Sequence, residues 1–141
     1  RHKADRVPTD PQAVYESIRE FFYNRLASLT SAGVAKERII IDPGMGFFLG
    51  SNPESSLAVL ARLGSFRREF DFPVMVSVSR KSFLRNLMPT GNCDLQSRTL
   101  AAEIFAAQQG VDYIRTHNVG ALRQAPATLT AISQAGSLAR L

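Results

Sequence analysis

Three short stretches of this chain hold the residue types that could do chemistry, and each stands at the end of an apolar run. The first is Asp42-Pro43-Gly44-Met45-Gly46-Phe47. An Asp fixed by a following Pro, with two glycines beyond it, can present its carboxylate while the backbone makes room for a ligand. A carboxylate in that setting suits a flat ring with paired N–H donors, such as a guanidine-like or amino-pyrimidine edge. The plainer alternative is an Asp that caps its own turn. The second stretch is Ser79-Arg80-Lys81-Ser82-Phe83. Its lysine can donate to a ring carbonyl or neutralise a departing phosphate, and Ser82 can hydrogen-bond a second substrate. If the strand persists, alternation sets Arg80 and Lys81 on opposite sides, so that one of them faces the ligand. A solvated loop end is the alternative there. The third stretch is Arg115-Thr116-His117-Asn118. Positions 115 and 117 share one side of an extended chain. Arg offers a planar fork for phosphate oxygens or a platform for a ring, and His adds a donor or a proton relay.

The elements that must position these groups are the apolar runs before them. Ile39-Ile40-Ile41, Val74-Met75-Val76-Ser77-Val78 and Val111-Asp112-Tyr113-Ile114 read as buried parallel strands. In α/β folds, ligands sit at the carboxyl ends of such strands. From Ile39 to Val74 to Val111 the spacings are 35 and 37 residues. That is close to the roughly 30 residues of one βα unit in an eight-fold barrel of about 250 residues. The fold class predicted is therefore α/β, a partial (β/α)8 TIM barrel. The 141 residues supply about three or four of the eight units that closure needs. Residues 1–141 are thus expected to be the C-terminal portion of one larger domain, without its first half.

Helical signals fill the intervals. Asp10-Pro11 offers an N-cap and a first helical position. Val14, Ile18, Phe21, Phe22, Leu26 and Leu29 then form one apolar stripe, which Ser31-Ala32-Gly33 ends. A second helix is expected from Asn52-Pro53-Glu54, turning Leu57, Leu60, Ala61 and Phe66 inward. A third, capped by Asp94, gathers Leu95, Thr99, Ala102, Ala106 and Ala107 on a small-residue face and stops at Gly110. The last begins near Val119 and contains Pro126, expected to kink it or divide it in two. A frayed tail is expected after Gly136.

Composition narrows the partners. The chain is 45% hydrophobic and carries a net charge of +5, with a pI near 10.0. Its basic residues come singly or in pairs, such as Arg67-Arg68 and Arg80-Lys81, with neither a long basic run nor an aromatic ladder. A small anion held by a few placed cations fits this pattern better than nucleic acid. Cys93 is the only cysteine, so neither an intrachain disulfide nor a cysteine metal cluster forms, and an incidental loop thiol is expected. His2 has no chemically capable neighbours and is assigned no role. No apolar stretch approaches the length of a membrane span, and the cytoplasm is the expected compartment.

The three stretches, in this order and spacing, resemble the C-terminal half of dihydropteroate synthase, from helix five through helix eight. The strings Asp42 to Leu49 and Val76 to Leu84 look most like the sulfonamide-insensitive branch of that family. The resemblance implies a transferase of folate biosynthesis, in which p-aminobenzoate displaces pyrophosphate from a hydroxymethyl-dihydropterin. It implies that Asp42, Lys81 and Arg115 bind the pterin, and that Phe47, Ser82 and Lys81 border the p-aminobenzoate. Arg115 with His117 would hold the pyrophosphate. Lys81, Arg115 and His117 would be the catalytic groups. It also implies Mg²⁺, with its ligand in the absent first half, a homodimer through the last helices, and no catalysis by residues 1–141 alone. One departure is Phe48-Leu49, where many relatives have Gly followed by Lys, which speaks against a phosphate role for that loop. Two other readings are a methyltetrahydrofolate-dependent methyltransferase domain and a non-catalytic pterin-binding or dimerisation fragment.

Overall fold

A parallel three-segment ribbon lies at the centre of the computed structural model, which describes residues 10–46, 49, 53–87 and 94–138. Strand β1 (Met75–Val76) pairs in parallel with β2 (Tyr113–Ile114), with Met75 opposite Tyr113 and Val76 opposite Ile114. On the other side of β1, Ile41 bridges Val74 in parallel. The amide of Ile41 donates to Pro73 O and that of Met75 to Ile41 O, both at 2.9 Å. The amide of Arg115 donates to Val76 O, also at 2.9 Å. The three segments therefore follow one another across the ribbon in sequence order and end at the same edge. The regular pairing is shorter than the apolar runs. A 3₁₀ turn at Lys36–Arg38 takes the start of the first expected strand, and only Tyr113–Ile114 of the third is regular.

Alternation along the ribbon separates two environments. Val74, Val76 and Val78 are fully buried on one side, against a helix layer that contributes Val59, Leu63 and Phe66. The intervening Met75, Ser77 and Ser79 belong to the other side, with Tyr113 and Arg115 on the neighbouring strand.

Helix α1 (Pro11–Ser31) starts as its sequence dictates, with the Asp10 carboxylate accepting from the Ala13 amide at 2.9 Å and Pro11 in the first turn. Its stripe buries Val14, Tyr15, Ile18, Phe22 and Leu26. Phe21 differs from expectation: it is 49% exposed beneath the Arg25 guanidinium. The expected second helix is two helices, α2 (Pro53–Ala61) and α3 (Leu63–Phe70), with Arg62 out of helical geometry between them. The break rotates the register. Leu57 and Ala61 therefore face outward, while Val59, Leu60, Leu63 and Phe66 take the core. Gly64 follows the break because a Cβ there would lie 2.6 Å from the Gln109 carbonyl oxygen. Phe66 stacks on Tyr15 at 4.9 Å and meets Phe22 edge-on at 5.5 Å, which locks α3 onto α1. The Arg19 fork on Glu69 adds a part-buried tie that holds the Glu69 carboxyl below its usual range.

After β1 comes the one-turn helix α4 (Ser82–Arg85), then α5 (Leu95–Gln108), capped by Asp94 accepting from the Gln96 amide. Thr99, Ala102, Glu103 and Ala106 form the buried face of α5, while Ala107 faces outward. Gly110, at φ +78°, reverses the chain after α5 as expected of a C′ glycine. Helix α6 (Val119–Leu138) runs through Pro126 without dividing and continues past Gly136. Proline removes one amide donor, and α6 is exposed along most of its length, so solvent is at hand for the carbonyl left over.

Candidate functional site

The polar side of the ribbon opens, at its carboxyl edge, into a cleft of about 530 Å³. Ser77, Ser79, Arg80, Lys81, Arg115, Thr116 and His117 line it. Two adjacent strand ends supply all of them. Three of these side chains are cationic and none is a carboxylate, so the cleft is built for an anion.

The turn after β1 explains why both basic residues of the second stretch reach the cleft. Strand β1 ends at Val76, Ser79 and Arg80 form a turn, and Arg80 adopts the left-handed conformation at φ +60°. The Lys81 amide closes the turn on Val78 O at 3.2 Å. Alternation no longer separates Arg80 from Lys81, and both line the cleft where the sequence favoured one. A non-glycine residue held in that region costs about 1–2 kcal/mol, and the Thr99 hydroxyl offsets part of it by accepting from the Arg80 amide at 3.2 Å.

Arg115 and His117 share the cleft, as their spacing predicted. His117 is anchored twice by one side chain. Its amide donates to Ser79 Oγ at 3.3 Å, and its Nδ1 lies 2.8 Å from the same oxygen. When the Ser79 hydroxyl donates to Nδ1, the ring proton sits on Nε2, the nitrogen left for a ligand. Ser77 and Ser79 are residues the chemical reading of the sequence passed over. Their signal was there, since both alternate with the buried Val74, Val76 and Val78.

Asp42 is half-buried and outside the lining of this cleft. Its Oδ1 accepts from the Gly44 amide at 2.8 Å, the self-capped turn that was the plainer alternative. The turn carries the chain to Gly46, at φ +84°, where a Cβ would stand 3.4 Å from Lys81 Cδ. The first strand end thus touches the second through the Lys81 stem. Lys81 is also the residue before α4, and Ser82, the first residue of that helix, is exposed and outside the cleft lining. Phe47 and Phe48 lie outside the described residues, as do His2 and Cys93. Among the described residues, no group of three or more His, Cys, Asp or Glu side chains comes together to hold a metal ion. No described helix is long and apolar enough to cross a membrane.

The family model for pterin binding enzymes matches residues 1–117. Dihydropteroate synthase type-3 of Escherichia coli is 52% identical over 125 residues, which take in 86% of this chain and 46% of that protein. The type-2 enzyme of Escherichia coli is 49% identical over 132 residues, 94% of this chain and 49% of that protein. Among solved structures, a dihydropteroate synthase from Coxiella burnetii in complex with pteroic acid superposes with a TM-score of 0.77 at 29% identity. That match covers 88% of this chain and 46% of the other. The chain spans about half the length of the curated relatives it matches.

Proposed function

The chain belongs to the family of pterin binding enzymes, and from that premise we propose that it forms one half of a dihydropteroate synthase. The reaction is the condensation of 6-hydroxymethyl-7,8-dihydropterin pyrophosphate with p-aminobenzoate. The carbon–oxygen bond to the pyrophosphate breaks, the arylamine nitrogen bonds to the exocyclic carbon, and one amine proton leaves. The observation that carries this reading is the gathering of Arg80, Lys81, Arg115 and His117 in one cleft with no opposing carboxylate. Such a set matches a leaving group that gains negative charge as its bond breaks, and pre-placed cations stabilise that charge. The protein needs no nucleophile of its own. The pteroic acid complex of the Coxiella burnetii relative supports the same pair of substrates, since pteroic acid joins a pterin to p-aminobenzoate.

On this reading Arg115 and His117 hold the pyrophosphate, with the Arg115 plane also against the pterin. Lys81 reaches between the pterin and the p-aminobenzoate. Asp42 meets the amino-pyrimidine edge of the pterin, and Ser82 with Phe47 borders the p-aminobenzoate. The identities with types 3 and 2 favour extending the resemblance to the sulfonamide-insensitive branch. The magnesium ion that the resemblance implies has no ligand set among the described residues. We place its ligand outside them and assign it no step.

The fold proposed for the complete protein is a (β/α)8 barrel, of which residues 1–141 are the helix-five-to-helix-eight portion of a single domain. The sequence-order run of three parallel segments supports it. Exposed Phe105, Leu129 and Ile132 on α5 and α6 support a homodimer through these helices. The compartment proposed is the cytoplasm, a reading favoured by the soluble, charged substrates of the proposed reaction.

The test is direct. Full-length protein supplied with both substrates and Mg²⁺ is expected to form dihydropteroate with one pyrophosphate per turnover. A folded full-length protein that binds neither substrate would defeat the reading. Turnover by residues 1–141 alone would defeat its half-site part.

A further inference from the structure

Two consecutive residues near the start of α5 reach back to the second strand end, and the proposed reaction gives neither a role. Thr99 accepts from the Arg80 amide at 3.2 Å. Arg98 turns its guanidinium to the far end of the same segment. Its Nη1 donates to Leu84 O at 2.9 Å and to Arg85 O at 3.2 Å, the last two carbonyls of α4. The two contacts bracket Lys81 and Ser82.

For α5 alone, Arg98 is badly placed. It lies in the first turn, where a cation faces the positive end of the helix dipole. What it does for α4 supplies the reason. A one-turn helix cannot satisfy its own last carbonyls, and a single turn is too short to hold helical geometry unaided. Phe83 and Leu84 sink into the core, and Arg98 takes the carbonyls at the carboxyl end with charge-assisted bonds. Lys81 is held within this frame, its amide on Val78 O at 3.2 Å and its carbonyl accepting from the Leu84 amide at 3.1 Å. Ser82 follows on the exposed side of α4. The fixture that bears the clamp is well seated. Thr99, Ala102, Glu103 and Ala106 are buried along the inner face of α5, deep enough that burial pushes the Glu103 carboxyl above its ordinary range.

We infer that Arg98 is a positioning residue for the p-aminobenzoate end of the site: from α5 it pins the carboxyl end of α4, while Thr99 holds the turn before it, so that Lys81 and Ser82 are fixed between two anchors. Arg115 and His117 stand on the other strand end and make no hydrogen bond with Arg98 among the described residues. The inference rests on the reading of Lys81 and Ser82 as the groups that border p-aminobenzoate.

The experiment uses the full-length protein with Arg98→Met, Arg98→Lys, Ser82→Ala and the Arg98→Met/Ser82→Ala pair. Two quantities are read: KM for each substrate, and Kd for inorganic pyrophosphate by calorimetry. Arg98→Met keeps much of the stem and removes the donors. It is expected to raise KM for p-aminobenzoate by about two- to tenfold. The pyrophosphate Kd is expected to stay within about twofold, a split that general loss of stability does not produce. Arg98→Lys keeps the charge but not the planar fork, and is expected to fall between wild type and Arg98→Met. If Arg98 acts through Ser82, the paired variant binds p-aminobenzoate less weakly than the two single losses multiplied together. An unchanged KM for p-aminobenzoate in folded Arg98→Met, an equal rise in KM and pyrophosphate Kd, or multiplicative losses in the pair would overturn the inference. If Arg98→Met does not fold, Arg98→Lys decides it by the same split. Wild-type protein that makes no dihydropteroate defeats the proposed reaction instead. Amide hydrogen exchange at Leu84 and Asn86, expected to quicken in Arg98→Met, then still tests the clamp.

Discussion

The Ser79 hydroxyl lies 2.8 Å from His117 Nδ1 and 3.3 Å from the His117 amide, so one side chain of the second strand end orients both the ring and the backbone of the third. Removing it frees the imidazole without opening a large cavity. In full-length protein, Ser79→Ala is expected to lower kcat/KM for the pterin pyrophosphate by about two- to tenfold. Steady-state kinetics checks this, and values within experimental error of wild type would remove Ser79 from the site.

Lys81 and Arg115 come from adjacent strand ends and share the cleft wall. Lys81→Ala and Arg115→Ala are each expected to slow pyrophosphate release by about an order of magnitude or more, the usual scale for a placed charge opposite a developing one. A coupled pyrophosphate assay reads both. Near-normal rates in the two variants would sink their assignment.

Gly46 holds φ +84° against the Lys81 stem. Gly46→Ala meets backbone strain of about 1 kcal/mol or more and adds a methyl group at the edge of contact with Lys81 Cδ. A fall in the unfolding midpoint and weaker pyrophosphate binding are expected together. Calorimetry on the purified variant measures both.

The raised carboxyl of Glu103 has a stability signature with a definite sign. A carboxyl whose folded value lies above its unfolded value favours the fold while protonated. That contribution is complete below the ordinary carboxyl range and is lost as pH rises through the raised folded value. Glu103→Gln is neutral throughout and removes this dependence. The variant's melting temperature is therefore expected to gain on wild type as pH rises from about 4 to 7, and a flat difference across that range contradicts the assignment.

Much of the scaffold was legible because local signals agreed with one another. Asp10-Pro11 at the start of α1, Asp94 at the start of α5 and Gly110 after it each met a backbone demand that only a few residue types satisfy. The cleft's cations were legible for the same reason, since Lys81, Arg115 and His117 stand where apolar runs stop. What sequence alone did not show was set by tertiary contact. The break at Arg62 brings Gly64 against the Gln109 carbonyl, a partner 45 positions away. The left-handed Arg80 depends on a hydroxyl from α5. Ser77, Ser79, Thr116 and Glu103 read as ordinary polar residues until the ribbon's register gives them neighbours.

The contact between Gly46 and the Lys81 stem also bears on the cost of ligand capture. A free lysine side chain samples many rotamers, and freezing it takes up to about 2 kcal/mol of conformational entropy. The methylene stem of Lys81, laid along a glycine with no side chain to displace it, gives up part of that freedom when the chain folds. An anion arriving at the cleft then meets an ammonium group whose wandering is already curtailed, and less of its binding energy is consumed in stilling it.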